Sequence, residues 1–187
     1  VLAVACFTIV VASLIALTKD NLKARLAYST VSQLSYVTVG ALLATGAGAM
    51  GGGLQIAMHA MGKITLFMCA GAIYVATGKT EISQMRGLGR RMPIVFVCFL
   101  VGSLSIIGVP PFGGAWAKYQ LFLGAMNADK AYVVWTLIGS SILNVCYLIP
   151  ISILALMPPA GSPEPAAYKR AGGAPHLVII PPLLTAI

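Results

Sequence analysis

The sequence predicts an all-α, polytopic membrane helix bundle, and three observations predict it. Of its 187 residues, 59% are hydrophobic and 9% are charged, with a mean hydropathy of +0.93. A water-soluble domain carries about a quarter of its residues as charges, so most of this surface must face lipid. The apolar residues also form long runs separated by short polar breaks. Finally, the 12 Lys and Arg outnumber 4 Asp and Glu and gather mostly in those breaks, as Lys19, Lys23 and Arg25, then Lys79, Arg86, Arg90 and Arg91, then Lys169 and Arg170. That distribution marks loops flanking membrane helices and excludes a basic face for nucleic acid.

About 20 apolar residues span the hydrocarbon core as a helix. The first crossing covers Val1 to Thr18, and the second Leu26 to about Ala44, ended by the Gly-rich stretch Thr45 to Gly53 read as a loop. The third covers Leu54 to Thr77. The fourth is the long stretch Met92 to Met126, interrupted at Pro110, Pro111, Gly113 and Gly114, and the fifth covers Tyr132 to Met157. A Pro/Gly-rich loop, Pro158 to Pro175, leads into the start of a sixth helix at Leu177. The organisation expected is therefore a transmembrane domain over residues 1–157, a loop over 158–176 and a further helix from 177. The chain begins inside one apolar run, without an initiator Met, and stops inside another, which reads as a fragment.

Loop charge sets the orientation. The first and third links are basic and the second carries no charge, so the positive-inside rule places the first and third in the cytoplasm of an inner-membrane protein. A straight fourth helix would be about 52 Å long, well beyond a bilayer. It must break within one crossing or cross twice; one broken crossing puts every basic loop on the same side.

Two lysines lie inside apolar runs, where a charge costs about 2.5–3.5 kcal/mol on insertion scales and marks function by default. Lys118 follows the Pro110-Pro111 break in Gly113-Gly114-Ala115-Trp116-Ala117-Lys118. Prolines and glycines free backbone polar groups at membrane depth, tolerable only beside protein or a hydrated cavity. Lys63 follows His59 by four residues, so the two stack on one helix face at about 6 Å, close enough to exchange a proton through one water. Gln55 and Thr65 are candidates to hold bridging water. Tyr28, Ser29, Thr30, Ser32, Gln33, Ser35 and Tyr36 form a polar run at the head of the second crossing, suited equally to helix packing and to a hydrated path. All four acids, Asp20, Glu81, Asp129 and Glu164, fall in loops, so an acidic partner for the buried lysines must come from elsewhere. Cys6, Cys69, Cys98 and Cys146 are isolated and read as small packing residues. No metal site, cofactor motif, nucleotide loop or catalytic triad is present, and no enzyme activity is expected of the chain alone.

The run Asp20 to Tyr36, reading DNLKARLAYSTVSQLSY, resembles a signature of the proton-conducting membrane subunits shared by respiratory complex I and Mrp-type cation/proton antiporters. His59-Ala60-Met61-Gly62-Lys63-Ile64-Thr65-Leu66-Phe67 and Gly108-Val109-Pro110-Pro111-Phe112-Gly113-Gly114 through Lys118 are similar to two further motifs of that family, in the expected order. One departure is the absence of a Phe after the last Gly of the third motif, where Ala115 and Trp116 stand. The wording around Lys63 and Thr77 to Ile82 looks closest to the D subunit of Mrp antiporters; an antiporter-like, proton-pumping subunit of NADH:quinone oxidoreductase is the alternative, and a non-transporting scaffold the alternative of another class.

The resemblance implies a fourteen-helix protein with two inverted five-helix repeats, this chain holding the second, with the fourth segment as its broken helix. It implies a mid-membrane proton relay through Lys118, Lys63 and His59, with Lys23 as a further relay residue. Other subunits of a hetero-oligomeric complex would be the partners, with protons, and sodium as the exchanged ion, as cargo. The family's first repeat, with its intramembrane Glu and Lys, is not in this sequence.

Overall fold

Residues 1–158 are described in a computed structural model. The chain is all-helical, in the order α1 (Leu2–Thr18), α2 (Leu22–Leu42), α3 (Gly46–Thr77), a single 3-10 turn (Ile82–Met85), α4 (Leu88–Arg91), α5 (Pro93–Ile107), α6 (Gly113–Asn127) and α7 (Ala131–Leu156). The expected Pro-rich loop beyond Pro158, with Lys169, Arg170 and Glu164, and the sixth helix from Leu177 lie outside the described residues.

Its polarity is inverted relative to a protein folded in water. Phe7, Trp116 and Trp135 are 68%, 65% and 71% exposed, while Ser13, Ser29, Ser32, Gln33, Thr65, Ser103, Ser140 and Asn144 are wholly buried. Polar groups leave the surface for the interior only when the surrounding medium satisfies them worse than the protein does. Among the described residues, α3 and α7 are long and apolar enough to cross a membrane, and α1 and α5 are shorter apolar helices.

The second helix starts at Leu22, four residues before the apolar run suggests. Asn21 caps it, its side chain accepting from the Ala24 N–H at 3.1 Å, which draws Lys23 and Arg25 into the first turn. The supposed glycine loop is also helix: α3 opens at Gly46, capped by Thr45, and runs through Gly51-Gly52-Gly53. The physical reason is close packing. A Cβ added to Gly51 would stand 2.7 Å from the Leu121 nitrogen of α6, so glycine here lets two backbones touch, as small residues do in membrane interfaces.

The broken fourth segment is one traverse. Running down α3, Gly48 lies against Gly124, Gly51 against Leu121, Met58 against Gly113, Gly62 against Ile106, and Leu66 against Gly102. The partner number falls steadily through α6, across the break and into α5. The two half-helices therefore lie end to end along α3, antiparallel to it, and do not fold back on each other as a hairpin.

At the basic end the links are clipped together. Ser83 gives its N–H and hydroxyl to the Asp20 carboxylate at 3.1 and 2.6 Å, and Leu22 N–H and Ile82 N–H bond the Thr80 and Asp20 carbonyls, each at 2.9 Å. Arg25 donates to the carbonyls of Leu17, Lys19 and Tyr147, joining the end of α1 to α7 just before its internal Pro150.

Candidate functional site

The break builds the environment of Lys118. In an unbroken helix the carbonyls of Ile106 and Ile107 would accept from residues 110 and 111, but both are prolines without an N–H. The helix ends instead at Gly108 in the left-handed region, with φ +85°. Lys118 takes one of the released groups: its Nζ donates to the Ile107 carbonyl at 2.6 Å and to Ser141 Oγ of α7 at 3.1 Å, and it lies 5.5 Å from the centroid of the Tyr36 ring. Gly114 makes the fit possible, since a Cβ there would fall 1.9 Å from the Ser105 carbonyl oxygen. Lys118 also forms part of the wall of a cavity of about 960 Å³ between the break, α6 and α7, with Ile107, Pro110, Trp116, Ser141 and Val145 among the other lining residues.

Lys63 has a matching environment one helix pair away. Its Nζ donates to the Leu26 carbonyl at 2.8 Å and makes a close contact with the Ser29 hydroxyl. Both lysines are buried, 6% exposed for Lys63 and 5% for Lys118, and the acids Asp20, Glu81 and Asp129 are all exposed. The two ammonium groups are therefore held by neutral oxygens. His59, one turn before Lys63, is 6% exposed with both ring nitrogens unpartnered. One turn further, Gln55 Nε2 donates to Gln33 Oε1 of α2 at 2.8 Å.

Helical period sorts the polar run of α2. Ser29, Ser32, Gln33 and Tyr36 share one face and are wholly buried, whereas Tyr28 is 36% exposed. Ser35 bonds the Val31 carbonyl of its own helix. On α3 the matching face carries Gln55, His59 and Lys63. A buried polar seam thus runs from Lys63 through His59 and the glutamine pair towards Tyr36 and Lys118. Thr65 is buried as well, its hydroxyl donating to the Met61 carbonyl at 3.0 Å. Lys23 stands apart from the seam: it is exposed, with its ammonium 4.7 Å from the centroid of the Tyr74 ring.

The sequence reading missed the contribution of α1 and α7. Ser13 of α1, Ser32 of α2 and Ser140 of α7 join their hydroxyls at 2.8 and 3.2 Å, and Ser141, Asn144 and Tyr147 lie close by on α7. The signal was available: Ser140, Ser141, Asn144 and Tyr147 recur at helical spacing within an otherwise apolar crossing.

The transmembrane family described as NADH:quinone oxidoreductase/Mrp antiporter matches residues 1–144. The chain belongs to this family. Among curated relatives, NAD(P)H-quinone oxidoreductase chain 5 of Synechocystis sp. is 38% identical over 146 residues, covering 72% of this chain and 21% of that protein. NADH-quinone oxidoreductase subunit N of Desulforudis audaxviator is 32% identical over 155 residues, covering 83% and 30%. Among solved structures, a chain of the Mrp complex from Dietzia sp. superposes with a TM-score of 0.81 at 28% identity, over 93% of this chain and 34% of that one. A chain of membrane-bound sulfane sulfur reductase, an archaeal respiratory membrane complex, gives 0.86 at 26% identity, over 100% and 30%. The chain thus spans about a fifth to a third of the length of these relatives, and as a member of the antiporter family it is an integral, multi-pass membrane protein.

Proposed function

We propose that this chain is the second five-helix repeat of a subunit that moves protons across the cytoplasmic membrane, with Lys63, His59 and Lys118 as the groups that bind and release them. α1, α2, α3, the α5–α6 pair and α7 supply the five crossings, the fourth broken at Pro110 and Pro111. Lys118 exchanges protons towards the outer side, and Lys63 with His59 feeds it. Lys23, exposed at the start of α2, serves at the surface end beyond Lys63. Charge arriving at one lysine disfavours charge on the next, which passes the proton along.

The observation that carries this reading is the pair of buried lysines bonded to a backbone carbonyl and a serine each, with no carboxylate beside them among the described residues. A permanent ion pair would hold its protons. An amine whose partners are a carbonyl and a hydroxyl has no fixed counter-charge tying it to one protonation state. In the full-length subunit within its complex, Lys118→Ala is expected to abolish proton flux into vesicles while leaving the assembled complex at its normal level; normal flux removes Lys118 from the mechanism. A scaffold role for the lysines predicts the reverse, loss of the complex itself.

Two assemblies have separate support. The wording around Lys63 and Thr77 to Ile82 favours a multi-subunit sodium/proton antiporter of the Mrp type. The identity with quinone oxidoreductase chains favours a proton-pumping subunit of a complex I-type enzyme. The neighbouring genes decide: small antiporter subunits support the first, and iron-sulfur or flavin subunits the second.

A further inference from the structure

The cavity beside the break is walled by two matching apolar stripes. Ala115, Tyr119 and Phe122 of α6 and Ile138, Ile142 and Val145 of α7 line it, and both sets recur at steps of four and three residues, so each lies along one face of its helix. Tyr119, Ile138, Ile142 and Val145 are exposed, which opens the cavity on the lipid side. Its volume of about 960 Å³ is that of a site for a small molecule, about 300–1,000 Å³.

Lys118 and Ser141 are the polar exception in this wall. An ammonium has three N–H donors, and Lys118 gives two of them to the Ile107 carbonyl and Ser141 Oγ. The acids Asp20, Glu81 and Asp129 are all exposed elsewhere, so among the described residues no carboxylate takes the third. Depth limits what could. α6 runs on to Asn127, nine residues or about 14 Å beyond Lys118, which sets the amine near the middle of a hydrocarbon core about 30 Å thick. A phospholipid keeps its headgroup in the interface, and only the apolar ends of its chains reach this depth. A water-soluble anion would have to shed its hydration in hydrocarbon. A free fatty acid escapes both limits, because its carboxyl group is uncharged when protonated and travels through hydrocarbon with its tail.

We propose that this cavity binds a free long-chain fatty acid, with the carboxyl group on Lys118 and the tail along the α6 and α7 stripes, leaving over Ile142 and Val145. The acid arrives neutral and meets Lys118 as a neutral amine. Its O–H bond breaks as an N–H bond forms on Lys118 Nζ, which leaves a carboxylate paired with an ammonium; no electron is transferred and the net charge is unchanged. Such a pair persists away from water only where further hydrogen bonds support it, and the Ile107 carbonyl and Ser141 hydroxyl supply them. When the acid leaves, the proton returns to the carboxylate. The site stands on the cavity and its single amine, independently of the proton-moving reading above.

The test uses the full-length subunit in its assembled complex, in vesicles, with two photoreactive probes: palmitic acid carrying a diazirine on its chain, and hexadecanol carrying the same group and no carboxyl. The acid is expected to label the cavity wall, at Trp116 and Ile142 among other positions, at least tenfold more than the alcohol does, and unlabelled palmitic acid is expected to displace it. Ile142→Trp, which fills the groove and leaves the hydrogen bonds of Lys118 in place, is expected to reduce labelling by the acid at least tenfold. Val97→Trp, on an exposed position of α5, is the control and is expected to label as the unmodified complex does. Lys118→Ala is expected to bring the acid down to the level of the alcohol. Equal labelling of the unmodified complex by acid and alcohol overturns the proposal, since it assigns the cavity to apolar contact alone. Full labelling in Ile142→Trp overturns it as well, and so does an unlabelled cavity in the unmodified complex, which would mean that another helix covers it. The readout is labelling and not flux, so each of these failures leaves the proton-moving reading standing, and normal flux in Lys118→Ala removes that reading while leaving the fatty-acid site.

Discussion

Lys118 is held by a carbonyl that two prolines leave without a donor, so its charge and its capacity to give up a proton are separable by substitution. Arginine keeps the charge and cannot release it at any ordinary pH. Lys118→Arg is expected to leave assembly intact and to reduce proton flux at least a hundredfold; flux near the normal rate would show that a fixed positive charge suffices. At this scale the sequence was informative where chemistry is unambiguous. A lysine inside an apolar run needs a reason, and both Lys63 and Lys118 proved buried and bonded to neutral oxygens. Hydroxyls were harder to read. Tyr28 and Ser29 are neighbours in the chain, yet one faces outward and the other meets Lys63. Ser13, Ser140 and Tyr147 gain meaning only when α1, α2 and α7 pack together, because a single hydroxyl on a membrane helix can also bond its own backbone, as Ser35 does.

At the scale of elements, crossings were legible from the lengths of apolar runs, and their edges were not. The N-cap at Asn21 carried α2 outward past Leu26, into residues whose charge suggested a loop. Glycine misled for a different reason: it serves both turns and close helix contact, and composition cannot separate the two at Gly51. The structure can. Gly114→Ala places a methyl against the Ser105 carbonyl and is expected to cost about 1–3 kcal/mol, the usual price of overpacking, visible as a lower melting temperature of the purified complex. Gly53→Ala meets nothing within 4 Å and is expected to be neutral, or to stabilise by up to about 1 kcal/mol through helix propensity. Equal effects from both would mean that the approach of α5 to α6 at Gly114 is not what demands glycine there.

Across the whole molecule, the buried polar seam and the apolar exterior state the same fact from two sides, and hydropathy made it visible before any fold was known. The path of the fourth segment was legible as a preference: loop charge admitted two crossings but favoured one broken crossing, and α5 and α6 do lie end to end along α3. The end-to-end arrangement of α5 and α6 along α3 has a topological consequence. With the exposed Cys146 replaced by Ser and the buried Cys6, Cys69 and Cys98 kept, a cysteine introduced at Ser83 is expected to react with an impermeant reagent only from the cytoplasmic side, and one introduced at Asp129 only from the opposite side; labelling of both from one face would mean a hairpin. The unbroken α3 braces both halves of the broken segment at Gly51, Met58 and Gly62, so neither half can swing without pulling away from that support. The proton path proposed above then asks movement only of the Lys118 side chain, on its four carbons, between two half-helices that α3 holds in place.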